Sequence, residues 1–276
     1  MTGDGWTSAV RRQLGLGRML PLGGPGDGAW LAESAARSVL RDSAARVVGA
    51  RVTRLRVSLA EPHAAPLSPD AYVSAVPSPP SALAPGPLRI SAEFQAATAE
   101  PLATAADRLR AALGSAAAER LGLVVTEVDL RITGLIEGDA APGDVTPEDP
   151  VPARAVSGGT PSADALSAGD DAVAGPAAPR PGRGDEPSAD DEERVARAVL
   201  AVPGVTRLAG VLGGPARAVH FEEHEAPLTL PRRHVRVELA ADARHRTLDV
   251  ARAVRAAVAK SLPDRPSVAV LVTAVG

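Results

Sequence analysis

The sequence predicts an α+β protein built of two small two-layer α/β sandwich modules, each ordered α-β-β-α-β, joined by a disordered linker. Three observations carry this expectation. Apolar residues recur at helical spacing in some windows and alternate strictly in others, and the order of those windows is the same in both halves. Residues 138–190 interrupt the pattern with eight glycines, nine prolines, ten acidic residues against three basic ones, and no aromatic. Such a segment cannot bury enough apolar surface to offset its ordering entropy. Finally, hydrophobic residues make up 45% of the 276 positions but aromatics only 2%. The cores must therefore be built from Ala, Val and Leu, which suit thin layers better than a deep ligand pocket.

The expected organisation is an N-terminal arm over 1–26, a first module over 27–137, the linker over 138–190 and a second module over 191–276. In the first module, "DGAWLAESAARSVLRDSA" reads as a helix with Asp27 as its cap. "RVTRLRVSLA" alternates through Leu55, Val57 and Leu59, and "PLRISAEFQA" through Leu88, Ile90, Ala92 and Phe94, so both are strands. A long Pro-rich loop separates them. "EPLATAADRLRAALGSAAAERLG" carries Leu102, Ala106, Leu109 and Leu113 at helical spacing, with Gly122 as its stop. "LVVTEVDLRITGL" is the closing strand.

The second module repeats the order. "DDEERVARAVLAVPGV" opens with acids suited to a helix N-terminus, continues through Val195, Val199 and Val202, and ends at Pro203-Gly204. "VTRLAGVL" and "ARAVHF" form one strand or two short ones. "HVRVELAA" places Val235, Val237 and Leu239 on one face. In "TLDVARAVRAAVAKSL" the stripe is Val250, Val254 and Val258, and Thr247 is placed to cap the start. "SVAVLVTAV" closes the module as a buried strand. Sheets of about three strands expose an edge or a face unless something covers them, and that points to a binding role.

Composition removes several function classes. There are no cysteines, which excludes disulfide stapling and thiolate chemistry and fits a cytoplasmic protein. The net charge is −3, and the acidic excess belongs to the linker, leaving the flanks at +1 and +3. Neither value, nor the scattered arginines and scarce aromatics, favours nucleic acid. No apolar run reaches the roughly 18–20 residues of a membrane span, and the first twenty residues lack the apolar core of a signal peptide. Lys260 is the only lysine, and with the heavy use of Ala, Gly, Pro and Arg this suggests GC-rich coding of the actinobacterial kind.

One motif has the look of chemistry. His220, Glu223 and His224 in "HFEEH" fit the H-x-x-E-H pattern of inverted zinc peptidases. That chemistry requires a helix, so that the two histidines share a face and the Glu polarises water. Here the motif follows a β-type stretch and Pro227 comes three residues later. On a strand, His220, Glu222 and His224 share one face and Glu223 takes the other. The expectation is a solvated acidic hairpin with no catalytic, cofactor or metal residue; the alternative is a metal-dependent hydrolase using His220, Glu223 and His224. His234 and His245 flank the central strand as surface residues. The glycine clusters "LGGPGDG" and "LGGPA" lack the spacing and Gly-Lys-Ser/Thr ending of phosphate loops.

The N-terminal arm mixes Trp6, Val10, Leu14, Leu16, Met19 and Leu20 with Arg11, Arg12 and Arg18. It reads as a segment that folds back onto its own module. Its candidate partner or membrane contacts are Trp6, Arg11, Arg12 and Arg18, which give a second alternative, a peripheral membrane-surface protein.

At "VARAVLAVPGVTRLAG" (195–210) the sequence resembles the alkaline-shock-protein family of the envelope stress response, which opens with a short helix and a Val-Pro-Gly-Val turn into a strand. "LDVARAVRAAVAKSL" and "SVAVLVTAV" stand where that family has its long helix and Val-rich last strand. The first module resembles a more diverged copy, with "RVVGARV" at the turn. The layout, with "WTSAVRRQLGLGRMLPLGG", is also similar to actinobacterial proteins carrying a nucleopolyhedrovirus p-ten family label. The resemblance implies a non-enzymatic, cytoplasmic protein held at the inner membrane surface. Its partners would be alkaline-shock-like proteins or a membrane anchor, with self-association as a further option.

Overall fold

The computed structural model describes residues 15–60, 76–79, 81–137, 189–210, 218–226 and 229–276. The expected linker, apart from its last two residues, lies outside them, as do Trp6, Arg11 and Arg12 of the arm. The architecture is α+β, with two separate sheets.

The first sheet has three strands in the order β3-β4-β5. Strands β3 (Ala50–Leu59) and β4 (Leu88–Ala97) are antiparallel; β4 and β5 (Val125–Ile136) are parallel. Helix α2 (Leu102–Ser115), extended by one π-helical stretch over Ala116–Leu121, makes the crossover. Gly122 ends it at φ 86°, a conformation that favours glycine because it has no Cβ. The alternation seen in the sequence sets the core: Leu55, Val57, Leu88, Ile90, Ala92 and Phe94 are all buried. In α2 the inward positions are Ala105, Leu109 and Leu113, whereas Leu102 is exposed. Ala106 packs partly buried against the core, so the predicted stripe holds at Ala106, Leu109 and Leu113 and fails at Leu102.

The second sheet joins both ends of the chain. Strands β6 (Val205–Leu208) and β7 (Val219–Ala226) lie end to end along one edge of β8 (Thr229–Ala241), both antiparallel to it. On the other side β9 (Ser267–Val275) runs parallel to β8, with helix α4 (Thr247–Ser261) as the crossover. This repeats the order and sense of β3-β4-β5. Helix α3 (Ala189–Leu200) packs on α4, and the Val195/Val199 and Val250/Val254/Val258 stripes are buried.

The remaining strands of this sheet come from the N-terminal region, and here the structure corrects the sequence. The stretch from Asp27 is not one helix. Residues Ala29–Ala32 form strand β2, parallel to β9, and helix α1 occupies only Glu33–Ala44. Strand β1 (Met19–Pro21) pairs antiparallel with β2. All four residues of β2, "AWLA", are buried; β1 and β9 take its two edges, and helices α1 and α4 both contact it. Asp27 closes a short 3₁₀ turn, where its carboxylate accepts the Gly24 N–H at 2.7 Å. Helix α1 packs against both β3 and β9. The described elements of both halves therefore belong to one compact unit.

Contacts between the π-helical stretch and the start of α4 add to this union. Thr247 does not cap its helix; its hydroxyl donates to the Arg120 carbonyl at 3.4 Å, and Arg246 Nε donates to that of Ala118 at 3.1 Å. Arg252 of α4 holds Asp27 through two hydrogen bonds of 2.7 and 3.0 Å. The Arg252 guanidinium, bonded directly to it, is the main reason the Asp27 carboxyl lies below its ordinary range.

Candidate functional site

The "HFEEH" residues lie on β7, a strand, paired with β8 in the register His220↔Arg236, Phe221↔Val235, Glu222↔His234 and Glu223↔Arg233. Strand alternation puts Glu223 on the face opposite His220, so the pattern does not assemble as it would on a helix. No group of three or more His, Cys, Asp or Glu side chains among the described residues is arranged to hold a metal ion.

The face carrying His220 is nonetheless polar and partly buried. Glu238 of β8 is fully buried, with His220 Nε2 at 3.7 Å and Arg236 Nε at 3.9 Å from its Oε1. Arg236 also donates to Glu222 Oε1 at 2.8 Å. His234, expected at the surface, is buried, with its Nδ1 2.9 Å from the Ser267 hydroxyl. On the opposite face the Arg233 guanidinium lies 4.4 Å from the Phe221 ring centroid and donates to Asp191 of α3 at 2.7 Å, tying the hairpin to the helix layer. The sequence hinted at none of the Glu238 arrangement, because a Glu between Val237 and Leu239 reads as a solvent-facing position. Arg236 thus pairs with carboxylates of both strands, Glu222 of β7 and Glu238 of β8, and cross-strand pairs of this kind favour one strand register.

Arg18 is the one arm candidate the structure describes. Its side chain bonds Glu33 of α1 at 3.1 Å and the Val57 carbonyl of β3 at 2.6 Å, so it pins the start of β1 to the first sheet. The edge of β1 is closed too: Met19 exchanges backbone hydrogen bonds with Ser81 and Leu83.

The edges of the three-stranded sheet differ from this. In the larger sheet the outer edge of β9 is occupied by β2. The equivalent edge in the smaller sheet is that of β5, and no strand among the described residues pairs with it. Its side chains remain half-open: Ile132 is 39% exposed and Leu135 60%, with Val124 just before the strand at 47%. The other edge, β3, carries Arg51, Arg54 and Arg56 and no acidic residue, and its pairing slips between Val52 and Arg54. Charge and a bulge are common means of blunting an edge; β5 differs in carrying charges of both signs, Glu127, Asp129 and Arg131, and in pairing without interruption from Glu127 to Ile132 between a slip at either end. The sequence implies an open face or edge without saying where; among the described residues the unpaired edge is that of β5, because β2 fills the equivalent one.

No family model, curated protein or solved structure matches the chain. No helix among the described residues is long and apolar enough to cross a membrane.

Proposed function

We propose that this chain is a non-enzymatic interaction protein of the envelope stress response, a degenerate tandem of alkaline-shock-like modules that binds related proteins or a membrane anchor at the inner membrane surface. The observation that carries the docking part of this reading is the edge of β5, equivalent in topology to the β9 edge that β2 covers. An open edge offers a row of backbone donors and acceptors, and strand addition is a general mode of protein recognition. The "VARAVLAVPGVTRLAG" resemblance supplies the kind of partner. The strand conformation of "HFEEH" supports this reading over a zinc hydrolase.

The test is native affinity capture of the full chain from its own cells, with the bound proteins identified by mass spectrometry. Enrichment of alkaline-shock-like proteins or their membrane anchor is expected. Recovery of neither contradicts the proposal.

A further inference from the structure

We infer that the outer edge of β5, which no strand among the described residues covers, pairs with the same edge of a second copy of this chain, antiparallel and centred on Leu130, joining two three-stranded sheets into one of six. The inference rests on the reading of β5 as a docking edge and names its occupant.

The argument is one of self-complementarity. An antiparallel strand paired with itself obeys a two-fold axis, so each residue meets a mirror position about the centre. With Leu130 on the axis, Val128 meets Ile132 of the second copy, and Val125 meets Leu135. The register with β4 sets Val125, Val128, Leu130, Ile132 and Leu135 opposite Leu88, Ile90, Ala92, Phe94 and Ala96, all buried core residues, so these five share the core-facing side. The two slips in that register, beyond Val125 and beyond Ile132, lie on either side of Leu130 and keep both apolar ends on that side. On the opposite face Asp129 meets Arg131 of the second copy, twice, and Glu127 meets Thr133. Directly opposed side chains lie about 4.5–5.5 Å apart at Cβ, within reach of an ion pair.

Neighbouring registers fail on the same chemistry. Centring on Asp129 sets that carboxylate against itself, and centring on Arg131 does the same to the guanidinium. A shift by one residue opposes the apolar face to the charged one. In-register parallel pairing stacks like charges throughout. Two copies of β3 would bring arginines together with no acid to receive them. A β5-to-β3 joint has opposite charges but is head-to-tail, so it grows rather than closes.

Sedimentation equilibrium of the full chain tests this, with charge reversal at the paired positions. The 28.0 kDa chain is expected to sediment as a dimer at micromolar concentration. Asp129→Arg and Arg131→Asp should each weaken association at least tenfold, while an equimolar mixture of the two variants should recover it, because each then meets its opposite. Circular dichroism establishes that each variant is folded. Should either fail to fold, Leu130→Cys replaces it: the chain has no other cysteine, so oxidation should yield a disulfide-linked dimer, and Thr126→Cys, placed far off the axis, should not. A monomer at all concentrations, a dimer indifferent to both charge reversals, or open-ended polymers overturn the inference. A chain that stays monomeric yet still captures alkaline-shock-like partners refutes the dimer and leaves the proposed function standing.

Discussion

Gly122→Ala probes the junction that makes the two halves one unit. Gly122 has φ 86°, and adopting this left-handed conformation costs a residue with a Cβ roughly 1–2 kcal/mol. The added Cβ would also overlap the Leu248 Cβ and lie 3.0 Å from its Cδ2. The Leu248 Cβ is fixed by the first turn of α4, so rotation of the leucine relieves only part of the clash, and overpacking of this kind costs about 1–3 kcal/mol. Together these give a loss of roughly 2–5 kcal/mol. The displacement reaches the β1-β2 turn, because the Gly122 carbonyl accepts the Gly23 N–H at 3.2 Å.

Urea unfolding followed by far-ultraviolet circular dichroism and by tryptophan fluorescence, in a Trp6→Phe background so that the buried Trp30 alone reports, measures this effect. Both probes should report one transition, shifted to lower urea with an unchanged slope. Gly114→Ala is the control: it lies inside α2 with nothing within 4 Å of the added carbon, so the same substitution should stabilise by about 0.5–1 kcal/mol. A loss below about 0.5 kcal/mol at Gly122, the ordinary range for surface changes, or two separated transitions would refute the coupling of the halves.

Other consequences follow from individual contacts. Arg18→Ala removes bonds to Glu33 and Val57; since Arg18 is partly exposed, the loss should be about 1 kcal/mol, read as a lower urea midpoint. Asp27 and Asp242 both have lowered carboxyl pKa values, Asp242 to about 2 through side-chain and backbone hydrogen bonds from Arg244. Their folded values lie below the unfolded one, so their stabilisation is complete above about pH 5 and is lost as pH falls past the unfolded value and through the folded ones; Arg252→Ala should flatten the acid limb of a stability-against-pH curve by removing the Asp27 share. Zinc titration by calorimetry should show no stoichiometric sub-micromolar binding, since Glu223 and His220 occupy opposite faces of β7. Tight binding abolished by His220→Ala would revive the metal reading.

Much of the fold was legible because its signals are local. Val250, Val254 and Val258 fall on one side of a 3.6-residue period, and Leu88 to Phe94 alternate, whatever the rest of the chain does. Pro227 and the β-type stretch before it argue correctly against a helix at "HFEEH". The failures involve long-range pairing. "AWLA" has no alternation because both of its faces are buried, and four apolar residues running into helix α1 look like its first turn. Thr247 has the residue type of a cap, but the Arg120 carbonyl takes its hydroxyl. Glu238 was illegible since its burial depends on His220 and Arg236 from the hairpin. The symmetry of β5 about Leu130 was present in the letters all along, yet it acquires meaning only once β5 is known to be an edge.

Amide hydrogen exchange over Val125–Ile136, measured across a dilution series of the full chain, tests most directly whether this edge is a docking surface. The alternate N–H groups of Glu127–Ile132 that face away from β4 should be protected at high protein concentration and exchange faster on dilution, while β4 is unaffected. Exchange independent of concentration across the micromolar range, with those outward amides already open or permanently protected, would contradict the account.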